Sequence, residues 1–232
     1  MTVCPLGIPV RSAVRLPKKQ KGDETMSKKH LLGFYDYTVI LTYAGTLSAL
    51  YGILSLLNNS PRQALLCLMF SGLCDMFDGT IAATKDRNRQ EKRFGIQIDS
   101  LNDMVAFGVL PALFVYTICP KSPLSLLTAS AYLLCALIRL AYFNVLEEDR
   151  QNHTDQKRTE YLGLPVTVSA LILPAAYAVQ SMTPATHLCS LILAFMALLF
   201  ISPIRIPKPR LKGIIGLAAA GTALLLGMVL EV

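Results

Sequence analysis

Cys74-Asp75-Met76-Phe77-Asp78-Gly79 and Gly95-Ile96-Gln97-Ile98-Asp99-Ser100-Leu101-Asn102-Asp103 set four aspartates into sequence otherwise fit for a lipid bilayer. Carboxylates at membrane depth are costly and mark an ion pathway, a proton relay or a metal site. Spacings of three and four residues put each pair on one helix face. Two such pairs together offer enough hard oxygen ligands for one or two divalent cations.

The surrounding composition is that of a membrane protein. Of 232 residues, 53% are hydrophobic and 16% charged, with mean hydropathy +0.48; a soluble domain of this length carries more polar surface. The length fits one compact helix bundle. Net charge is +7, but the basic residues lie in short clusters between apolar runs, and no aromatic-rich basic module accompanies them. That argues for anionic lipid headgroups and against nucleic acid. Cys4, Cys67, Cys74, Cys119, Cys135 and Cys189 form no CxxC pair and read as small buried hydrophobes. His30, His153 and His187 are scattered, without metal-ligand spacing.

The hydropathy pattern predicts seven membrane-spanning helices, near 35–57, 63–84, 94–118, 123–146, 162–180, 185–204 and 213–230. Residues 1–33 form a basic segment without the apolar core of a secretory signal. Within it, Met26, followed by Ser27-Lys28-Lys29, is a candidate start, with 1–25 an upstream extension. Lys and Arg number 7 in residues 1–33, 5 in 85–93, 3 in 147–161 and 4 in 205–212; the opposite side has only Arg62 and Lys121, and Arg139 lies inside a span. The positive-inside rule therefore expects a cytoplasmic amino terminus and, with seven spans, an external carboxyl terminus. On this topology Asp78 and Asp75 lie about 9 and 13 Å from the cytoplasmic end of their helix, and Asp99 and Asp103 about 8 and 14 Å from theirs. The short 85–93 hairpin makes the two helices neighbours, so the four acids are expected to converge near the cytoplasmic leaflet.

Read as a string, Asp75-x-x-Asp78-Gly79-x-x-Ala82, then Gly95-x-x-x-Asp99-x-x-x-Asp103, resembles the signature of the CDP-alcohol phosphotransferase family. Phe94–Gly108, Arg139-Leu-Ala-Tyr-Phe-Asn144 and Tyr161-Leu-Gly-Leu-Pro165 look like its bacterial-type phosphatidylserine synthase branch. The resemblance runs from about residue 33 to 204. It implies an all-α, six-helix membrane core (34–204), usually homodimeric, with 205–232 adding a basic loop and a further span. It also implies transfer of a phosphatidyl group from CDP-diacylglycerol to L-serine with release of CMP. By the same resemblance, Asp75, Asp78, Asp99 and Asp103 hold Mg²⁺ or Mn²⁺, and Asp103 also accepts the serine hydroxyl proton. Asp75, Gly79, Ala82 and Gly95 would contact CDP-diacylglycerol, the glycines by permitting close approach.

Two departures stand out. The family places arginine directly after the alanine, where this chain has Ala83. The gap from there to Gly95 is also longer than usual and rich in cations: Lys85, Arg87, Arg89, Lys92 and Arg93. One of these, with Lys85 and Arg93 the candidates at either end, is expected to replace the missing charge. Arg139, the one cation inside a span, is the candidate ligand for the serine carboxylate through its planar fork. A counter-ion role for it toward an aspartate remains open. So do three other functional readings. Glycerol 3-phosphate or inositol phosphate as acceptor would favour more than one arginine at depth. A divalent-cation transporter would spread its acids through both leaflets. A non-catalytic relative is the third, suggested by Ala83. The enzyme reading carries an expected location: a multi-pass bacterial plasma-membrane protein with its site on the cytoplasmic side.

Overall fold

A computed structural model describes residues 33–35, 37–82, 84–85, 87–120, 122–153, 160–207, 216 and 221–227. Ala83, the basic segment 1–32, the 208–212 cluster and most of the last expected span lie outside these residues. The expected all-α architecture is what forms. α1 (Ile40–Leu57), α2 (Pro61–Ala82), a continuous rod from Arg89 to Ile118, and α5 (Pro123–His153) are long and apolar enough to cross a membrane. α6 (Ser169–Met182) and α7 (Leu188–Ile201) are shorter apolar helices. The rod comprises α3 (Arg89–Asp103), a π-helical stretch (Met104–Val109) and α4 (Leu110–Ile118). The described part of the seventh span, residues 221–227, is helical, and Gly221 approaches Leu171 of α6.

Apolar side chains fill the core, as in a soluble domain, but also cover the outside. Leu47 is 67% exposed and Leu198 65%, whereas Thr42, Ser71, Asn102, Asp103 and Arg139 are buried. Lipid tails do not drive helices together, so close backbone approach by small residues does. On α1, Gly45, Ala49 and Gly52 are buried toward its neighbours. A Cβ on Gly52 would lie 3.0 Å from the Cβ of Cys67 on α2 and 3.1 Å from Leu110. Gly72 does the same for α2 and α6, where a Cβ would stand 2.7 Å from that of Ala170. Ser71 Oγ donates to the Gly45 carbonyl at 2.9 Å, which binds α2 to α1.

Local chemistry sets the ends. α3 starts at Arg89 rather than at residue 94 because Asn88 and Glu91 form a capping box: Glu91 N–H donates to Asn88 Oδ1 at 2.8 Å, and Asn88 N–H to Glu91 Oε2 at 2.9 Å. At the π-helical stretch, Pro111 has no N–H for the Phe107 carbonyl four residues back. The buried Tyr132 hydroxyl of α5 donates to that oxygen instead, at 2.7 Å. α5 runs on to His153, so Glu147 and Arg150, expected in a solvated loop, pair one turn apart on a helix.

The fifth span does not begin at 162. Glu160–Leu162 instead pairs antiparallel with Arg205–Pro207, because Gly163 (φ 76°) and extended Pro165 cannot lie inside a helix. Gly163 N–H donates to the Ile204 carbonyl at 2.7 Å, and Leu164 N–H to that of Leu199 at 3.2 Å. Arg139 Nε donates to the Leu164 carbonyl at 3.3 Å. The Tyr161-Leu-Gly-Leu-Pro165 motif thus clamps the start of α6 to the end of α7 and to α5. Gly163→Ala should break this clamp, since its Cβ would stand 2.9 Å from the Phe200 carbonyl at a positive φ. The expected cost is about 1–3 kcal/mol, seen as a lowered thermal midpoint in detergent.

Candidate active site

α2 and α3 deliver the acids as their spacing requires. One carboxylate oxygen each from Asp75, Asp99 and Asp103 lies within 4.8 Å of the others. Asp78 is buried beside them: Thr42 Oγ1 of α1 donates to its Oδ2 at 3.3 Å, and its carboxyl is in hydrogen-bonding contact with that of Asp99. The sequence expectation of convergence from two helices is met, and α1 contributes a third wall.

Buried acceptors without donors are costly, and this cluster holds two of them. Asp99 Oδ1 and Asp103 Oδ1 are buried and have no hydrogen-bond partner. A divalent cation fits that deficit. At metal–oxygen distances of about 2.0–2.6 Å, two ligands of one ion stand no more than about 4–5 Å apart, and one oxygen each of Asp75, Asp99 and Asp103 lies within 4.8 Å of the others. The donor set is all carboxylate, which suits Mg²⁺ or Mn²⁺ over softer metals.

The basic insertion sorts itself. Lys85 pairs with Glu91 at 3.7 Å, and Arg93 pairs with Glu148 on α5; both were expected at the substrate. Arg87 turns to Gly95 instead. A Cβ on Gly95 would meet its Nη1 at 2.9 Å, so the guanidinium lies against the Gly95 backbone, and its charge acts on Asp78. Gly95 therefore permits a close approach, but by a side chain of this chain. The Asn88 capping box that begins α3 also holds the loop bearing Arg87, and the Tyr37 hydroxyl meets Thr84 at 3.1 Å just before it. Gly79 has open space where a Cβ would be, and Ala82 ends α2; together they leave room on the face next to Asp78. Arg139 is buried with its guanidinium 5.5 Å from the Phe143 ring centroid.

Thr42, Thr46 and Asn102 belong to the site and were not singled out in the sequence. Thr46 Oγ1 meets Asn102 Oδ1 at 2.8 Å, and the Asn102 Nδ2 is buried without a partner. The available signal was Thr42 and Thr46 at helical spacing around Gly45 in an apolar span, and an asparagine beside Asp103. Ser100, next to Asp99, donates to Asn144 Oδ1 of α5 at 2.6 Å. The Arg139–Asn144 motif is thereby tied to the acid-bearing helix.

Residues 38–225 match the family model described as CDP-alcohol phosphatidyltransferase, which reaches into the last expected span, beyond residue 204. Among curated proteins, the chain is similar to an archaetidylserine synthase of Methanothermobacter thermautotrophicus (28% identical over 79% of this chain and 74% of that protein). It is also similar to a CDP-diacylglycerol–serine O-phosphatidyltransferase of Methanocaldococcus jannaschii (32% over 73% and 74%) and to one of Saccharomyces cerevisiae (30% over 73% and 62%). The match to the yeast protein thus leaves more than a third of that relative uncovered.

Proposed function

The chain belongs to the CDP-alcohol phosphatidyltransferase family, and from that premise we propose that it is a phosphatidylserine synthase. It transfers the phosphatidyl group of CDP-diacylglycerol to the hydroxyl of L-serine and releases CMP. The observation that carries this reading is the convergence of Asp75, Asp99 and Asp103, with two of their oxygens unpartnered, inside a bundle of apolar helices. The serine in the printed names of all three relatives supports the acceptor.

In this reading Asp75, Asp99 and Asp103 hold Mg²⁺ or Mn²⁺, with Asp78 completing the set. When bound, the cation offsets the charge of the diphosphate and of the CMP leaving group. Arg87 adds a fixed positive charge at the Asp78 end, taking the role of the arginine that Ala83 lacks. Open space at Gly79 admits the diphosphate between α2 and Arg87. Asp103, at the deep end of the cluster, accepts the serine hydroxyl proton. The serine oxygen then forms its bond to the lipid-side phosphorus as the bond from that phosphorus to the CMP oxygen breaks. Arg139 takes the serine carboxylate, its fork suited to one planar anion. The proposal includes a homodimer in the plasma membrane, with the amino terminus and site on the cytoplasmic side, as the distribution of Lys and Arg supports.

The decisive assay supplies purified protein with CDP-diacylglycerol, Mg²⁺ or Mn²⁺, and serine, glycerol 3-phosphate or inositol phosphate in turn. Serine should give CMP and phosphatidylserine, chelation should stop both, and Asp103→Asn should lower turnover about 10²–10⁴-fold. Preference for a phosphate-bearing acceptor would overturn the serine reading and the role of Arg139. Undiminished turnover in excess chelator would overturn the metal role.

Arg87 can be separated from its neighbours in the same preparation. Arg87→Ala should raise the Michaelis constant for CDP-diacylglycerol about tenfold or more, the weight of a charge-assisted hydrogen bond. Lys85→Ala and Arg93→Ala, whose cations pair with glutamates, should change it little. Equal effects from all three would mean that the insertion acts as a diffuse basic patch.

A further inference from the structure

Asn102 presents a buried hydrogen-bond donor that the mechanism above does not use. The residue is 3% exposed and lies on α3 between Asp99 and Asp103. A Cβ on Gly45 of α1 would stand 3.6 Å from its Nδ2 and 3.6 Å from the Cβ of Cys74, the neighbour of Asp75 on α2. The amide therefore sits where α1, α2 and α3 meet, on the residue before Asp103.

Its orientation follows from Thr46. The Thr46 hydroxyl has one proton and two acceptors in reach, Asn102 Oδ1 at 2.8 Å and the Thr42 carbonyl at 3.0 Å. The shorter of the two contacts is the one to Asn102 Oδ1. With Oδ1 so engaged, Nδ2 is the free end, and it is buried without an acceptor. An unpaired buried amide costs what an unmade hydrogen bond costs. A ligand oxygen arriving in the cluster removes that cost.

We propose that Asn102 Nδ2, oriented by Thr46, donates a hydrogen bond to a non-bridging oxygen of the lipid-side phosphate of CDP-diacylglycerol. This rests on the transferase reading for its substrate. The choice of phosphate follows from depth: the lipid-side phosphate is drawn inward by its acyl chains, and Asn102 lies one turn further along α3 than Asp99. As negative charge builds on that oxygen during transfer, the donor strengthens the interaction where the barrier lies.

The test uses full-length protein in nanodiscs, with Asn102→Ala, the near-isosteric Asn102→Asp, and Thr46→Val. Binding of CDP-diacylglycerol in Mn²⁺ is measured first, without any acceptor, followed by CMP release with serine. Asn102→Ala and Asn102→Asp should weaken binding or lower kcat by a combined tenfold to a hundredfold, roughly one hydrogen bond to a charged group. The serine Michaelis constant should hold. Thr46→Val should give a smaller loss of the same kind, because it frees the amide without removing it. Unchanged binding and turnover in both Asn102 variants would overturn the proposal. So would loss cured by more Mn²⁺, which would make the side chain a metal ligand, or an effect confined to the serine constant. If the wild type binds CDP-diacylglycerol but does not use serine, the acceptor reading fails, and the binding comparison still decides the role of Asn102.

Discussion

Holding four carboxylates inside an apolar bundle, Asp78 and Asp103 buried and Asp75 and Asp99 half-buried, is the constraint on which the rest of this structure turns. Each carries a desolvation cost that only a partner of opposite charge or a donor can offset. Thr42 and Arg87 serve Asp78, but two oxygens of Asp99 and Asp103 are left without a donor. A cation bound among them would offset the cost and give the cluster its chemistry at once. In the proposed enzyme, catalysis and folding stability would then be coupled through one site.

The architecture serves that convergence. Small residues on α1 let three helices close until Thr42 reaches Asp78 and Thr46 reaches Asn102, and the Asn88 capping box fixes where α3 begins and where Arg87 falls. Beyond Asp103 the helix opens into a π-helical stretch, a feature that recurs at functional sites. The Tyr132 hydroxyl donates to the Phe107 carbonyl within it. Tyr132 thus holds α5 to the segment that continues from Asp103. The Gly163 clamp performs a comparable task on the other side of α5, where it receives Arg139.

Much of this was legible in the chain. Apolar runs of span length and carboxylates at intervals of three and four determine the helices and their shared face, and the short hairpin makes them neighbours. Helix ends were less so, because they depend on individual caps: Asn88 starts α3 early, whereas Gly163 and Pro165 delay the fifth span to Val166. Which cation of the insertion meets the acids was not legible either. Lys85 and Arg93 are drawn away by Glu91 and Glu148, partners visible only once α3 and α5 are packed. Asn102 and Thr46 stayed hidden for a similar reason, since a polar residue gains its meaning from the helix opposite.

The central claim is that these carboxylates form one divalent-cation site. Mn²⁺ binding to the detergent-purified protein, followed by electron paramagnetic resonance in the absence of lipid substrate, tests it without reference to activity. A saturable site in the wild type that is lost in Asp75→Asn and in Asp99→Asn is the predicted result. No saturable binding, or binding that survives both substitutions, would contradict the account.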